Sequence, residues 1–172
     1  MTSDSGARRL VLLRHAKAEH PDLIADIQRP LSLVGRRQSA GVGTGLAAAD
    51  LVPDLVLCSA SVRTRQTWEL ARSTLGADPE VRYLEDLYYS GSHALMDLVR
   101  AVPDDVRTLL VVGHEPTMSQ AAVLLAGPES DPETLARVRV GVPTASWSLL
   151  EVSAWDALAP GTAALRRLAI PH

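Results

Sequence analysis

Arginine and histidine side chains follow two of the apolar runs in this chain. The run at residues 10–13 ends at Arg14 and His15, and the run at residues 108–112 is followed by Gly113 and His114. Arginine presents a planar fork of donors that fits phosphate or carboxylate oxygens. Histidine titrates near neutrality and can act as a base, an acid, a nucleophile or a metal ligand. These residue types at strand ends indicate either anion chemistry or a metal site.

A third apolar run, residues 54–58, leads into a string of hydroxyl residues and Arg63, which lies in the first turn of a predicted helix. In a parallel sheet the C-terminal ends of the strands share one edge, where open α/β sheets bind ligands. Two arginines, two histidines and two helix N-termini would then surround one small volume. Helix N-termini add partial positive charge and free N–H groups. Such a volume favours a dianion, and phosphate is the obvious candidate.

Strand and helix patterns alternate along the chain. Apolar runs predict strands at residues 10–13, 54–58, 81–84, 108–112, 147–152 and 164–170. Helices are predicted at residues 33–49, 62–75 and 92–102 and after Pro116, whereas residues 85–91 and 127–143 read as loops, the latter with a short helix near 134–138. This alternation predicts a three-layer α/β/α sandwich with a mostly parallel central sheet. We expect one domain over residues 1–172, with a loose end at residues 1–8.

Composition narrows the class of protein. The chain has 172 residues, 47% of them hydrophobic, and a net charge of -3 without any basic run, which disfavours nucleic-acid binding. Cys58 is the only cysteine, so neither an internal disulfide nor a cysteine metal cluster can form. No apolar run is long enough for a signal peptide or a membrane span. We therefore expect a soluble cytoplasmic protein, either a monomer or a weak homo-oligomer.

Three motifs in this order resemble a known family. Residues 10–18 resemble the R-H-G signature of the histidine phosphatase superfamily, residues 59–67 its S-P-x-x-R-T-x-Q-T signature, and residues 111–116 its second-histidine motif. The small SixA-type phosphohistidine phosphatases are most similar, because they share R-H-A, R-P-L-S at 29–32 and V-P-T-A at 142–145. They also lack the large helical insertions of phytases and acid phosphatases. The resemblance covers nearly the whole chain and implies a phosphoglycerate-mutase-like fold.

The resemblance implies a role for each of four residues. His15 would be the nucleophile that takes the phosphoryl group as a covalent phosphohistidine. Arg14 and Arg63 would clamp the phosphate oxygens, and His114 would bind the same group and stabilise the transition state. A nucleophilic imidazole must be neutral, and two nearby guanidinium groups disfavour its protonation. No metal or other cofactor is implied, because the arginines supply the positive charge.

Four further residues leave alternatives open. Many members of the superfamily use a carboxylate as proton donor, and L-E-D-L places Asp86 at that position with Glu85 beside it; a solvated acidic pair is the equal alternative. Arg29 is a candidate substrate ligand at the mouth of the pocket. The alternative interpretation is that Arg29 is an ordinary charged residue of a surface loop. Ala16 stands where most members have glycine, and a positive φ there would cost about 1–2 kcal/mol.

The expected function is that of a phosphatase, in the first place for phosphohistidine on a protein, since short loops leave an open groove. A phosphatase or mutase acting on a small phosphorylated metabolite is the first alternative. A phosphate-binding module without turnover is the second. A metal site formed by His15, His114 and Asp86 is also conceivable, but the adjacent arginines would repel a cation.

Overall fold

A six-stranded sheet forms the centre of the protein, whose computed structural model describes residues 7–171. The strands are β1 (Arg8–Arg14), β2 (Leu55–Ser59), β3 (Glu80–Leu84), β4 (Thr108–Gly113), β5 (Trp147–Val152) and β6 (Ala164–Ala169). They lie in the order β3-β2-β4-β1-β5-β6. β3, β2, β4 and β1 are mutually parallel, whereas β5 is antiparallel to β1 and β6 is antiparallel to β5. The predicted mostly parallel sheet is confirmed.

Helices cover both faces of this sheet. They are α1 (Leu33–Ala48), α2 (Val62–Leu75), α3 (Asp86–Tyr89), α4 (Ser92–Arg100), α5 (Thr117–Leu125) and α6 (Pro132–Arg139), with 3-10 turns at Asp26–Gln28 and Trp155–Ala157. One apolar cluster joins α1 and α2 to the sheet, and a second joins α4, α5 and α6 to its other face. The three-layer arrangement that the alternation of elements predicts is therefore present.

The apolar run of β1 is continuous because both faces of the strand are covered. Leu10 and Leu12 belong to the cluster with α4 and α5, whereas Val11 and Leu13 belong to the cluster with α1 and α2. Successive strand residues point to opposite faces, so a strand between two helical layers needs apolar side chains at every position. Polar residues can begin only where the strand leaves the core, which is at its C-terminal end.

Two of the sequence-based expectations are wrong in detail. The loose end predicted at residues 1–8 does not hold for Arg8, which is buried within β1, opposite Val152 of β5; residues 1–6 lie outside the described residues. The loop predicted at residues 85–91 contains helix α3, which the buried Leu87 holds against the core. Within residues 7–171, no helix combines the length and the apolarity needed to cross a membrane.

The close packing of α1 on α2 gives a prediction about two glycines of α1. A Cβ atom at Gly43 would overlap the carbonyl oxygen of Ala71 and the hydroxyl of Thr74, whereas a Cβ atom at Gly45 would meet nothing within 4 Å. Gly43→Ala should therefore lower the free energy of unfolding by about 1–3 kcal/mol. Gly45→Ala should raise it by about 1 kcal/mol, because alanine is the better helix former. Urea denaturation measures both changes, and equal effects of the two substitutions would contradict this packing.

Candidate active site

Three parallel strands end level at one edge of the sheet and bring the predicted residues together there. Arg14 is the last residue of β1 and pairs with Gly113, the last residue of β4. The N–H of His15 donates to the Gly113 carbonyl at 3.0 Å, and His114 follows directly. The ring centroids of His15 and His114 are 5.3 Å apart. Arg63 reaches the same place from the first turn of α2, which follows β2.

The imidazole of His15 is buried and has one nitrogen free. Its Nδ1 lies 2.7 Å from the carbonyl oxygen of Ala16, so Nδ1 carries the proton and donates it, and Nε2 keeps its lone pair. The pKa of His15 is lowered to about 3, mainly by burial and to a smaller extent by His114, Arg63 and Arg14, while the hydrogen bond to Ala16 opposes the shift. His15 is therefore neutral at pH 7, and burial is a larger cause of this than the arginines.

Ala16 does not carry the strain that its place in the motif could have imposed. Among the described residues other than glycine, positive φ angles occur at Leu23, Asp50 and Ala145, and not at Ala16. The Ala16 N–H donates to the hydroxyl oxygen of Thr67 at 3.0 Å. The alanine side chain is fully buried, so the turn after His15 uses an ordinary backbone conformation and fills its space with a methyl group.

His114 is the second buried imidazole of the site. Its Nε2 lies 2.8 Å from the hydroxyl of Ser59, the last residue of β2. The pKa of His114 is lowered to about 4, mainly by burial and then by the charge of Arg63, while the charge of Asp26 opposes the shift. Nδ1 of His114 is buried and has no hydrogen-bond partner among the described residues. When Ser59 donates to Nε2, Nδ1 carries the proton and is available to an acceptor.

Each arginine likewise keeps a buried donor without an acceptor. Arg14 Nη1 donates to the Val142 carbonyl at 2.8 Å. Arg63 Nη1 donates to the Asp26 carbonyl at 2.7 Å, and Arg63 Nη2 donates to Asp26 Oδ2 at 3.0 Å. Within residues 7–171, Nε of Arg14, Nε of Arg63 and Nδ1 of His114 are buried with no partner. A buried donor without an acceptor lowers stability. An anion with several oxygens would supply the acceptors that these nitrogens lack.

The segment 142–145 holds the end of β1 in place. The N–H of Ala145 lies within hydrogen-bond distance of the carbonyl oxygens of Arg14 (3.1 Å) and His15 (3.0 Å). The Glu115 carboxylate accepts from the N–H of Val142 at 3.0 Å, and the carbonyl of Val142 accepts from Arg14. The V-P-T-A segment noted in the sequence thus fixes the backbone on either side of the Arg14 and His15 side chains.

Two residues that the sequence reasoning missed also line the site. Asp26 lies in a 3-10 turn, and Tyr88 of α3 donates its hydroxyl to Asp26 Oδ2 at 2.6 Å. The rings of Tyr88 and His114 meet edge-on, with their centroids 5.5 Å apart. The guanidinium carbon of Arg63 lies 5.9 Å from the centroid of the Tyr88 ring. No periodic pattern singles out Asp26. For Tyr88, the sequence offers only its position shortly after Glu85 and Asp86 and the fact that tyrosine is rare in this chain, which has three.

Arg29 reaches the cluster, whereas the two candidate proton donors do not. Arg29 Nη1 donates to Asp26 Oδ1 at 2.9 Å, and its Nε donates to the Glu19 carbonyl at 2.8 Å. Asp86 and Glu85 are exposed, and neither carboxylate makes a hydrogen bond or ion pair with another described residue. Their role in proton transfer stays a prediction that this arrangement does not support.

The histidine pair lacks the further ligand that a metal site would need. No three His, Cys, Asp or Glu side chains in the described part of the chain are placed to hold one metal ion. Zinc sites that catalyse reactions have three protein ligands. Asp86 in particular does not join His15 and His114 in such a group.

Comparisons with known proteins agree with this geometry. Residues 10–88 match the histidine phosphatase superfamily, branch 1. The chain is 40% identical over 162 residues to the uncharacterized protein Rv1276c of Mycobacterium tuberculosis, a match covering 93% of this chain and 100% of that protein.

Solved structures give the same result. A protein assigned as phosphohistidine phosphatase SixA from Nakamurella multipartitia superposes with a TM-score of 0.84 at 34% identity, over 97% of this chain and 98% of that one. A protein with the same assignment from Agrobacterium tumefaciens superposes with a TM-score of 0.81 at 26% identity, over 95% and 98%. The chain therefore belongs to the histidine phosphatase superfamily and, within it, to the SixA-type branch.

Proposed function

We propose that this protein is a phosphatase that moves a phosphoryl group from its substrate to Nε2 of His15 and then to water. The observation that carries the proposal is the state of His15, a neutral buried imidazole whose Nδ1 proton is held by the Ala16 carbonyl. Membership of the histidine phosphatase superfamily supports the same chemistry. Three of the buried nitrogens without a partner in the described part of the chain, Nε of Arg14, Nε of Arg63 and Nδ1 of His114, lie on the residues around it.

In the first step, the lone pair of Nε2 attacks phosphorus and the bond to the leaving group breaks. The His15 ring keeps its Nδ1 proton, so it becomes positively charged as the N–P bond forms. The Ala16 carbonyl, 2.7 Å from Nδ1, stabilises that charge. In the second step, water attacks phosphorus, the electron pair of the N–P bond returns to Nε2, and both water protons leave with the product as H2PO4⁻, so His15 is neutral again.

The donors of the site stabilise the charge on the transferring group. Phosphoryl transfer spreads negative charge over three equatorial oxygens. Nε of Arg14 and Nε of Arg63 are buried N–H donors, and so is Nδ1 of His114 in the tautomer in which Ser59 donates to Nε2. Donors fixed in place before the reaction stabilise developing charge strongly. Because two guanidinium groups supply the positive charge, the proposed reaction needs no metal ion.

The state of Asp26 favours a substrate with a good leaving group. Hydrogen bonds from Tyr88 and Arg29 hold the pKa of Asp26 far below its usual range, so this carboxylate is ionised at neutral pH and cannot donate a proton. An alkoxide leaves poorly without a proton, whereas the imidazole of a phosphohistidine needs less help from an acid. We therefore propose phosphohistidine as the substrate group, rather than an alkyl phosphate.

Exposed apolar side chains beside the site favour a protein as the carrier of that group. Leu23 is fully exposed and Ile24 is 43% exposed, and both precede Asp26 in the same segment. Tyr89, next to Tyr88, is 73% exposed. Apolar side chains in such positions suit contact with another protein surface.

The nucleophile and the phosphate clamp are separable by substitution. His15→Ala should abolish turnover and phosphoenzyme formation with phosphoramidate but keep affinity for orthophosphate. Arg63→Ala should lower kcat/KM by about 100-fold or more and also weaken orthophosphate binding, because it removes a donor to the transferring group. Intact-mass spectrometry and calorimetric titration measure these effects, with His93→Ala on the exposed side of α4 as a control. A His15→Ala enzyme with near-normal turnover would refute the nucleophile assignment.

The neutral state of His15 is testable without any substrate. The unfolded chain protonates a histidine near pH 6.5, whereas the folded state keeps His15 neutral down to about pH 3. The unfolded state therefore binds more protons between these values, and stability is lost as the pH falls from 6.5 toward 3. His15→Gln should reduce the loss of unfolding free energy between pH 7 and pH 5 by about 2 kcal/mol.

The matched control for this measurement is His93→Gln, which replaces an exposed histidine. Its unfolding free energy should fall between pH 7 and pH 5 by the same amount as that of the wild-type protein. Urea denaturation at both pH values measures the three proteins. Equal losses in His15→Gln and the wild-type protein would show that burial does not hold His15 neutral.

The choice of substrate requires a panel. We expect kcat/KM to be highest for a phosphohistidine-bearing protein and phosphoramidate, and much lower for alkyl phosphate esters. A strong preference for one phosphorylated metabolite would favour the alternative of a metabolite phosphatase or mutase. Tight phosphate binding with no phosphoenzyme and no turnover on any substrate would favour a binding module.

A further inference from the structure

One residue, Asp26, ties the segment from Glu19 to Pro30 to the rest of the site. The base of the segment is closed by a hydrogen bond from the Glu19 N–H to the Pro30 carbonyl at 2.8 Å. Among the described residues, every hydrogen bond from residues 20–28 to a part of the chain outside this segment involves Asp26. Those bonds reach Arg63 of α2 and Tyr88 of α3.

The contacts of Asp26 occupy only one edge of the Arg63 guanidinium. The Asp26 carbonyl accepts from Nη1 at 2.7 Å, and its Oδ2 accepts from Nη2 at 3.0 Å, so Asp26 contacts the two terminal nitrogens and not Nε. The other fork of the group is formed by Nε and the second proton of Nη2. Nε is buried and has no partner within residues 7–171. This second fork has the spacing that binds two oxygens of one phosphate.

The two oxygens of the Asp26 carboxylate are themselves held in place. Oδ1 accepts from Arg29 Nη1 at 2.9 Å, and Oδ2 accepts from Tyr88 at 2.6 Å as well as from Arg63. Arg29 and Tyr88 hold the carboxylate independently of Arg63, so it is a firm support for the Arg63 side chain. Its own side chain is 53% exposed, so water screens its repulsion of a bound dianion.

We propose that Asp26 is a positioning residue that holds Arg63 by its terminal edge and thereby directs the Nε–Nη2 edge to the phosphoryl group. The proposal rests on the proposed function of the site and extends it to the segment from Glu19 to Pro30. Asp26 and the phosphoryl group use different edges of Arg63, so they bind together rather than compete. Without Asp26 the arginine side chain regains other rotamers, and misplacement of a catalytic group by about 1 Å costs on the order of 100-fold in rate.

A double-mutant cycle tests the proposal. Asp26→Ala should lower kcat with phosphoramidate by about 10- to 100-fold, with a smaller change in KM. In the Arg63→Ala background, Asp26→Ala should change kcat by no more than about twofold, since its effect acts through Arg63. Asp26→Asn keeps a side-chain oxygen toward Arg63 and should recover most of the loss. Asp22→Ala, an exposed carboxylate of the same segment, is the matched control and should leave kcat unchanged.

A second measurement needs no turnover. In the wild-type protein, orthophosphate should shift the 1H–15N NMR signal of Arg63 Nε–Hε, and Asp26→Ala should abolish that shift or weaken the affinity at least tenfold. If this holds while the wild-type protein forms no phosphoenzyme, the proposed function fails and the positioning role stands. If Asp26→Ala binds orthophosphate more tightly, leaves kcat unchanged, or adds its full effect to that of Arg63→Ala, the positioning role is wrong.

Discussion

Burial keeps both imidazoles of the site neutral while the two arginines beside them stay charged. His15 and Arg63 are 8% and 6% exposed, and burial is the largest cause of the low pKa values of His15 and His114. The guanidinium groups keep their charge because an arginine side chain is not deprotonated in proteins. The site therefore combines a nucleophile that is ready at neutral pH with donors that favour a dianion. The first of these properties depends on the burial of the two imidazoles.

The sheet supplies the rigidity that this combination needs. β1 is packed on both faces, with Leu12 in one apolar cluster and Leu13 in the other, so Arg14 and His15 extend from a strand that cannot shift sideways. β4 lies beside it in parallel register and places His114 one residue beyond its end. The site is thus built mainly at strand ends and one helix start; α3 adds Tyr88, and the irregular segments add Asp26, Arg29 and the support of residues 142–145.

The sequence predicts those parts of the site that follow regular elements. Arg14, His15 and His114 are visible because they interrupt apolar runs, and Arg63 because it opens a helix. Asp26 and Tyr88 could not be predicted in this way, since a 3-10 turn and a four-residue helix leave no periodic pattern. The sequence argument also assigned the neutrality of His15 to the arginines, because burial is not visible in a sequence. Asp86 matches the motif position of a proton donor, yet its side chain stays in solvent.

The central claim is that one dianion is shared by His15, His114 and the two arginines. A crystal structure with orthovanadate, which takes the geometry of a transferring phosphoryl group, tests it most directly. We predict vanadium within bonding distance of His15 Nε2, with its oxygens accepting from Arg63 Nε, Arg14 Nε and His114 Nδ1, and with Asp26 still bound to the terminal nitrogens of Arg63. Vanadate bound elsewhere, or contacting these side chains with His15 turned away from it, would contradict the account.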